Sequence, residues 1–257
     1  MDELSALRLQ MDWGVDEVLL AEPQNRLRVT PKVASPVPSP PRGVPLPLSV
    51  LPAGPADAAK IAANCAKIED LQEALANFTG CALRDTATQL VFADGAVEAR
   101  VMLIGDAPAA EDDRSGRPFS GPRGQLLDKM LASIGLDRSL VRITNIVPWR
   151  PPGDRQPTEA EIALCLPFLQ RHIALLRPDC LILLGAVAAK AMLPAQYGHA
   201  GISKLRGKWQ SIEIPGAPAL VPCLPIYHPA YLLRTPAAKR DSWHDLLALR
   251  AWLDSQD

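Results

Sequence analysis

Four short apolar runs constrain the fold more than any other feature of the sequence. They cover residues 101–104, 141–143, 180–184 and 221–226, and each is largely continuous rather than alternating with polar residues. Strands that are buried on both faces have this pattern, because helices cover both sides of a parallel sheet. The segments between the runs have helical spacing, so the sequence predicts an α/β fold.

The predicted helices cover about residues 124–134, 159–176 and 186–193, and a last one covers about 240–252. Another helical pattern runs from Ala58 to Leu75, with Asp57 as its expected N-cap. The alternation of strands and helices predicts a single folded domain over residues 57–257.

The first 56 residues differ in composition from this domain. Ten of the 26 prolines lie between Pro23 and Pro55, so residues 23–56 are predicted to be a disordered proline-rich linker. Residues 1–22 have the spacing of a short amphipathic helix. That helix either docks loosely on the domain or recognises a protein partner.

Charge and composition exclude several classes of protein. Lys and Arg number 27 against 28 Asp and Glu, so any contact with nucleic acid requires a local basic patch. No apolar run approaches the roughly 20 residues of a membrane-spanning helix, and the N-terminus lacks the pattern of a secretory signal. The five cysteines are irregularly spaced, which predicts reduced thiols in a cytoplasmic protein. We expect a monomer.

Polar residues follow three of the four apolar runs. Asp106 comes after the first run, Asn145 after the second and His228 after the fourth. In open α/β sheets, ligands bind at the carboxyl ends of the strands. The sequence therefore predicts that these three side chains converge on one cleft.

The chemistry of these side chains suits a flat, polar ligand. Asn145 offers an acceptor and a donor pair, which match the imide edge of uracil, although it could also be a turn residue. His228 could donate a hydrogen bond to developing negative charge, or be structural. Phe119 lies in a glycine-rich loop, either as a core ring or as a stacking platform for a base.

Basic residues surround the predicted cleft, either as an ordinary solvated surface or as contacts to DNA phosphates. They are Arg150, Arg155, Arg206, Lys208, Arg234 and Lys239. Leu232 and Leu233 lie between His228 and Arg234. They belong either to the core or to a wedge that fills the gap left by a flipped nucleotide.

Five segments together resemble the uracil-DNA glycosylase superfamily, nearest its family 4. Gly105-Asp-Ala-Pro-Ala109 is similar to the motif G-E-A-P-G, and residues 116–127 are similar to G-x-P-F-x-G-x-x-G-x-L-L. Residues 144–153 resemble the T-N segment that leads to R-P-P-G, and residues 161–168 and 228–234 complete the set. The segments follow the family's order, and the resemblance covers about residues 78–252.

The resemblance implies a three-layer α/β/α domain with a four-stranded parallel sheet. It also implies that the protein flips uracil out of DNA and hydrolyses its N-glycosidic bond. In that reaction Phe119 would stack on the base, Asn145 would read its edge, and His228 would stabilise the uracil anion.

Two residues of the segment Gly105–Ala109 differ from the family motif G-E-A-P-G. Asp106 replaces the usual Glu, and its shorter carboxylate is expected to hold the attacking water. Ala109 replaces a Gly, and its methyl group is expected to crowd the C5 position and strengthen the exclusion of thymine. Gly105 is assigned to the same base pocket.

The largest departure concerns the 4Fe-4S cluster of family 4, which four cysteines bind. Cys81 and Cys165 match two of the ligand positions, but Phe78 and Trp149 stand at the other two. Cluster iron requires thiolates, which aromatic side chains cannot supply. The resemblance therefore implies a cluster-less variant of family 4 that binds no metal and no other cofactor.

The leading prediction is a monofunctional uracil-DNA glycosylase of base-excision repair, a hydrolase that leaves an abasic site in uracil-containing DNA. Two alternatives stay open. One is a non-catalytic relative that binds damaged DNA, and the other is a glycosylase for another deaminated base, such as hypoxanthine or xanthine.

Overall fold

The computed structural model describes residues 54–197 and 200–256. The predicted N-terminal helix and nearly all of the predicted linker lie outside these residues. The first described helix begins at Pro55, whose fixed φ angle suits the first turn of a helix. Within residues 54–197 and 200–256, no helix has the length and apolar character that crossing a membrane requires.

The sheet has six strands in the order β1-β3-β2-β4-β6-β5. The central four are parallel and correspond to the predicted runs: β2 (Val101–Gly105), β3 (Val141–Asn145), β4 (Cys180–Leu184) and β6 (Val221–Ile226). One antiparallel strand pairs at each edge: β1 (Asp94–Gly95) and β5 (Gln210–Ile212). The four-stranded prediction is therefore right for the parallel part and omits the edges. Strands of two and three residues are too short for a periodic signal.

Helices connect the strands and cover the sheet. They are α1 (Pro55–Asn64), α2 (Ile68–Asn77), α3 (Leu83–Thr86), α4 (Ala110–Ser115), α5 (Pro122–Ala132), α6 (Glu159–Leu176), α7 (Gly185–Met192), α8 (Ile202–Leu205), α9 (Pro229–Arg234) and α10 (Lys239–Asp254). The bounds of α6 match the prediction because a capping box defines its start. Thr158 accepts the Glu161 N–H, and the Glu161 carboxylate accepts the Thr158 N–H.

The prediction of one helix from Ala58 to Leu75 is wrong. The backbone turns extended at Cys65, which divides the segment into α1 and α2. Asp57 is not the N-cap of α1 either. Gly54 is the N-cap, and Asp57 lies three residues later, where its carboxylate accepts the Gly54 N–H at 3.2 Å. The carboxylate thus stabilises the helix start from inside the first turn.

Two hydrophobic cores lie on opposite faces of the sheet, and β2 contributes to both. Met102 and Ile104 pack with residues of α1, α2 and α6, whereas Val101 and Leu103 pack with residues of α5 and α10. All four side chains are at most 2 % exposed. Burial on both faces explains why the strands are continuously apolar. The α/β fold with three layers is therefore confirmed.

Candidate active site

The carboxyl ends of the parallel strands place the predicted polar residues at one edge of the sheet. Gly105 ends β2 and Asn145 ends β3, and the two are direct partners in the register. Asp106 follows β2, and His228 follows β6 by two residues. The His228 Nε2 atom lies 3.4 Å from Oδ1 of Asp106. Residues that are 122 positions apart in the chain thus meet at the cleft.

His228 is fixed in one tautomer. It is the N-cap of α9, and the backbone N–H of Ala230 donates to its Nδ1 at 3.0 Å. Because Nδ1 accepts this hydrogen bond, the neutral imidazole carries its proton on Nε2. Nε2 is buried and makes no hydrogen bond within the described residues, since its contact with Asp106 lacks the geometry of one. The Nε2–H group can therefore donate to a ligand.

Asn145 also carries unsatisfied polar atoms. Its side chain is 3 % exposed, and neither Oδ1 nor Nδ2 finds a hydrogen-bond partner in the described part of the chain. Leaving a buried polar group unsatisfied costs about 1–3 kcal/mol, so such groups require an explanation. Hydrogen bonds to a bound ligand would explain the unsatisfied atoms of Asn145. As the last residue of β3, Asn145 is not a turn residue.

Phe119 lies beside both groups in a strained backbone conformation. Its φ of 55° is left-handed, which bulky residues rarely adopt. Arg138 holds the loop in place by donating to the carbonyls of Pro118 and Phe119 at 3.2 and 2.5 Å. The ring is 1 % exposed, and its centroid lies 5.5 Å from that of His228. Phe119 is therefore a rigid wall of the site.

Two glycines provide the space for these side chains. A Cβ on Gly105 would lie 2.4 Å from Oδ1 of Asn145 and 2.8 Å from Cζ of Phe119. Gly185 has a φ of 94°, and a Cβ there would lie 2.9 Å from that of His228. The sequence motifs assign no role to Gly185 or Arg138, because the contacts of these residues join distant parts of the chain. A glycine that directly follows a buried strand was the available signal for Gly185.

Asp106 is an ionised carboxylate at the edge of this pocket. Burial raises its pKa, but the His228 imidazole, the Ala107 N–H and the charge of Arg123 outweigh burial and lower the pKa to about 2. Its side chain is 29 % exposed, and Oδ1 accepts the Ala107 N–H at 2.9 Å. Asp106 thus reaches His228 on one side and solvent on the other. Ala109 is half-buried three residues further along the loop.

The lowered pKa of Asp106 predicts that the free energy of unfolding depends on pH. Since its pKa in the folded state lies below the ordinary value of 3.8, ionisation favours folding above about pH 4. This contribution is lost as the pH falls toward 2. We expect the difference in unfolding free energy between wild type and Asp106→Asn to shrink between pH 5 and pH 3 in urea titrations. A difference independent of pH would contradict the assignment.

The six basic residues that are predicted to contact DNA differ in whether their side chains form ion pairs with carboxylates. Arg150 pairs with Asp154 at 2.7 Å, and Arg155 pairs with Glu161 through two bonds of 2.9 and 2.6 Å. The side chains of Lys208, Arg234 and Lys239 are exposed and form no ion pair with any other described residue.

Arg206 does not fit its predicted role as a phosphate contact. Its guanidinium donates to both carboxylate oxygens of the buried Asp245, at 2.9 and 2.7 Å, and lies over the ring of Tyr227. Its side chain is only 17 % exposed. Arg206, which directly follows α8, therefore joins the end of that helix to α10, and its charge is already neutralised by Asp245.

The two leucines after His228 also differ. Leu232 is 1 % exposed and packs in the core next to α5, so its prediction as a DNA contact is wrong. Leu233 is 45 % exposed. The two side chains leave α9 in different directions, and Leu233 is the one that can contact a partner.

The four positions of the family's cluster lie together in the other core. Phe78, Cys81, Trp149 and Cys165 are at most 3 % exposed. The neighbouring Cys165 thiol lowers the pKa of Cys81, and the Cys81 thiol together with burial raises the pKa of Cys165. The Phe78 ring packs 5.1 Å from that of Phe168. Two thiols and two aromatic rings do not fit a 4Fe-4S cluster, which takes four thiolates.

The rest of the described structure offers no other set of side chains that could bind a metal ion. Residues 54–197 and 200–256 contain no group of three or more His, Cys, Asp or Glu side chains that could hold a metal ion. Cys65 donates to the Ile61 carbonyl on α1, and Cys180 and Cys223 lie within β4 and β6.

Comparison with known proteins agrees with this geometry. The family model described as the uracil DNA glycosylase superfamily matches residues 92–249. A type-4 uracil-DNA glycosylase of Pyrobaculum aerophilum is 37 % identical over 180 residues, which cover 70 % of this chain and 91 % of the relative. One of Archaeoglobus fulgidus is 35 % identical over 68 % of this chain and 87 % of the relative. The chain therefore belongs to the uracil DNA glycosylase superfamily, and it is similar to the type-4 enzymes.

Proposed function

We propose that the protein is a monofunctional uracil-DNA N-glycosylase, which flips uracil out of DNA and leaves an abasic site for base-excision repair. One observation carries this proposal. Oδ1 and Nδ2 of Asn145 and Nε2 of His228 are buried without hydrogen-bond partners among the described residues, beside the ring of Phe119. The imide edge and a carbonyl oxygen of uracil would satisfy all three atoms while the base stacks on Phe119.

The same arrangement supplies the chemistry of hydrolysis. As the bond between C1′ and N1 breaks, its electron pair moves onto uracil, and a carbonyl oxygen gains negative charge. The Nε2–H group of His228 donates to that oxygen, and this stabilises the leaving group. The Asp106 carboxylate orients a water that attacks the oxocarbenium-like C1′. The water forms the new C–O bond and gives up a proton to Asp106.

Specificity and DNA binding follow from residues around the pocket. The Ala109 methyl group crowds the C5 position of the base, which excludes the methyl group of thymine. The exposed Leu233 fills the gap in the duplex. Lys208, Arg234 and Lys239 contact phosphates, whereas the charges of Arg150 and Arg155 are offset by Asp154 and Glu161, so these two residues contribute hydrogen-bond donors. These contacts position the DNA without reading its sequence.

The proposed enzyme works without a 4Fe-4S cluster. The support is the donor set at the four family positions, where two aromatic rings stand in place of thiolates. The enzyme is proposed to act as a monomer in the cytoplasm, where its five buried thiols stay reduced. Residues 1–22 are proposed to recognise a protein partner.

A cleavage assay tests the function and the cofactor together. Purified protein is incubated with a labelled oligonucleotide that carries one uracil, and alkali then cuts the abasic sites. We expect strand scission from a sample that has no absorbance band near roughly 400 nm, where iron–sulfur clusters absorb. A brown sample would overturn the cluster-free proposal. No scission of G·U, A·U or single-stranded substrates would overturn the function.

Asp106→Asn separates an enzyme from a non-catalytic binder. Because the amide keeps the shape of the side chain and lacks its charge, we expect turnover to fall while uracil-containing DNA is still bound. A parallel substrate with hypoxanthine tests the other deaminated bases. Excision of hypoxanthine at the rate of uracil would contradict the assignment of Asn145 to the uracil edge.

A further inference from the structure

Asp112 is a fully buried carboxylate on α4 that binds backbone groups on two sides of the base pocket. Its side chain has 0 % exposure. Oδ2 accepts the N–H of Ala109 at 3.1 Å, and Oδ1 accepts the N–H of Ser120 at 2.7 Å. Ser120 directly follows Phe119. One carboxylate therefore joins the residue proposed to crowd C5 to the residue that directly follows the proposed stacking ring.

Arg123, at the start of α5, provides the opposing charge and a third attachment. Its Nη2 donates to Oδ2 of Asp112 at 2.5 Å and to the carbonyl of Ala107 at 3.1 Å. Its guanidinium carbon lies 5.6 Å from the centroid of the Phe119 ring. The loop after β2 and the glycine-rich loop are thus fastened to the same ion pair.

A buried ion pair is weak evidence for stability, because removing two charges from water offsets much of their attraction. A fixed geometry is the other role that such a pair can have. One bonded backbone group belongs to Ala109 and another to Ser120, the residue after Phe119, which favours this second role.

We propose that the ion pair between Asp112 and Arg123 sets the distance between the Ala109 methyl group and the Phe119 ring, and thereby the discrimination between uracil and thymine. Both residues act through others, so they are positioning residues. The inference rests on the proposed function, since Ala109 and Phe119 must face the base. A single methyl group gives about 10–200-fold discrimination, and only when the pocket walls do not yield.

Asp113 provides a matched control on the same helix. It is 3 % exposed and accepts the backbone N–H groups of Thr88 and Gln89, at 2.8 and 3.3 Å, and the Thr88 hydroxyl at 2.8 Å. It is therefore as buried and as well bonded as Asp112. Its contacts attach α4 to residues 88–89 and include no pocket residue. Asp113→Asn reproduces the structural cost of losing a buried carboxylate.

The experiment compares full-length Asp112→Asn, Asp113→Asn and wild type. The first measurement is equilibrium binding to duplexes that carry 2′-fluorinated deoxyuridine or its thymine counterpart, which resist cleavage. The second is single-turnover excision of uracil. We expect Asp112→Asn to reduce the uracil-to-thymine binding ratio by about tenfold, because its amide cannot accept all three hydrogen bonds. Asp113→Asn should keep the wild-type ratio at a similar loss of Tm.

The outcomes separate this inference from the function. Wild-type excision with equal ratios in the two Asn variants would overturn the inference and leave the function intact. Selective binding by wild type without excision would overturn the function, and the binding ratios would still decide the inference. Equal wild-type binding of both duplexes would overturn the inference, and the excision measurement would still decide the function. If Asp112→Asn does not fold, the uracil-to-thymine binding ratio is measured for Arg123→Lys and Arg123→Met instead. We expect a smaller reduction of this ratio for Lys, because Lys retains the positive charge.

Discussion

Replacing His228 by Asn lowers kcat for uracil excision by about 10²–10³-fold, which corresponds to the roughly 2.7–4 kcal/mol that one donor to a developing oxyanion contributes. The Nε2–H group is the donor that the structure holds buried, oriented and without a hydrogen-bond partner among the described residues. The shorter Asn cannot reach the position of Nε2. Single-turnover cleavage of a uracil oligonucleotide at saturating enzyme measures the effect on chemistry.

Asn is the chosen replacement because it can also serve as the N-cap of α9. His228 is also the N-cap of α9, where its Nδ1 accepts the Ala230 N–H. Asn is among the best N-cap residues, so the helix start and Tm should be retained. His244, which is exposed on α10, provides the control, and His244→Asn should keep wild-type activity. A rate for His228→Asn within threefold of wild type would remove His228 from the mechanism.

The parts of the fold that could be predicted are those with a local cause. The strands β4 and β6 were found at their exact bounds, since burial on both faces makes them continuously apolar. Helical spacing likewise gave the bounds of α6, whose start the structure shows to be fixed by the capping box of Thr158 and Glu161. The edge strand β1 exists only because β3 pairs with it. Such pairing leaves no periodic signal in two residues.

The same distinction applies to the site. Asp106, Asn145 and His228 could be placed together because topology brings the carboxyl ends of parallel strands to one edge. Arg206 was misassigned because its partner Asp245 lies 39 residues away. Leu232 was misassigned because two adjacent apolar residues do not reveal which of them faces the core. Burial and ion pairing depend on tertiary contacts, which local sequence does not encode.

The second large effect is expected from adding one methyl group at the end of β2. In Gly105→Ala the new Cβ would lie 2.4 Å from Oδ1 of Asn145, and 2.8 and 2.9 Å from two ring carbons of Phe119. Both neighbours are buried, so neither can move freely into solvent. A displacement of about 1 Å in a positioned group can cost roughly 10²-fold in rate. We therefore expect at least that loss in kcat/KM, because base reading and stacking are disturbed together.

Two further variants show whether the clash is the cause. In Gly201→Ala the new Cβ meets no described residue closer than 3.8 Å, apart from its chain neighbours, so excision and Tm should stay near wild type. Phe119→Leu removes the ring carbons that the Gly105→Ala methyl group would meet. If the clash with the ring limits activity, the double variant Gly105→Ala/Phe119→Leu loses less than the product of the two single losses, since residues in contact are non-additive. Strictly multiplicative losses would instead assign the defect to Asn145 alone, because its Oδ1 lies closest to the added carbon.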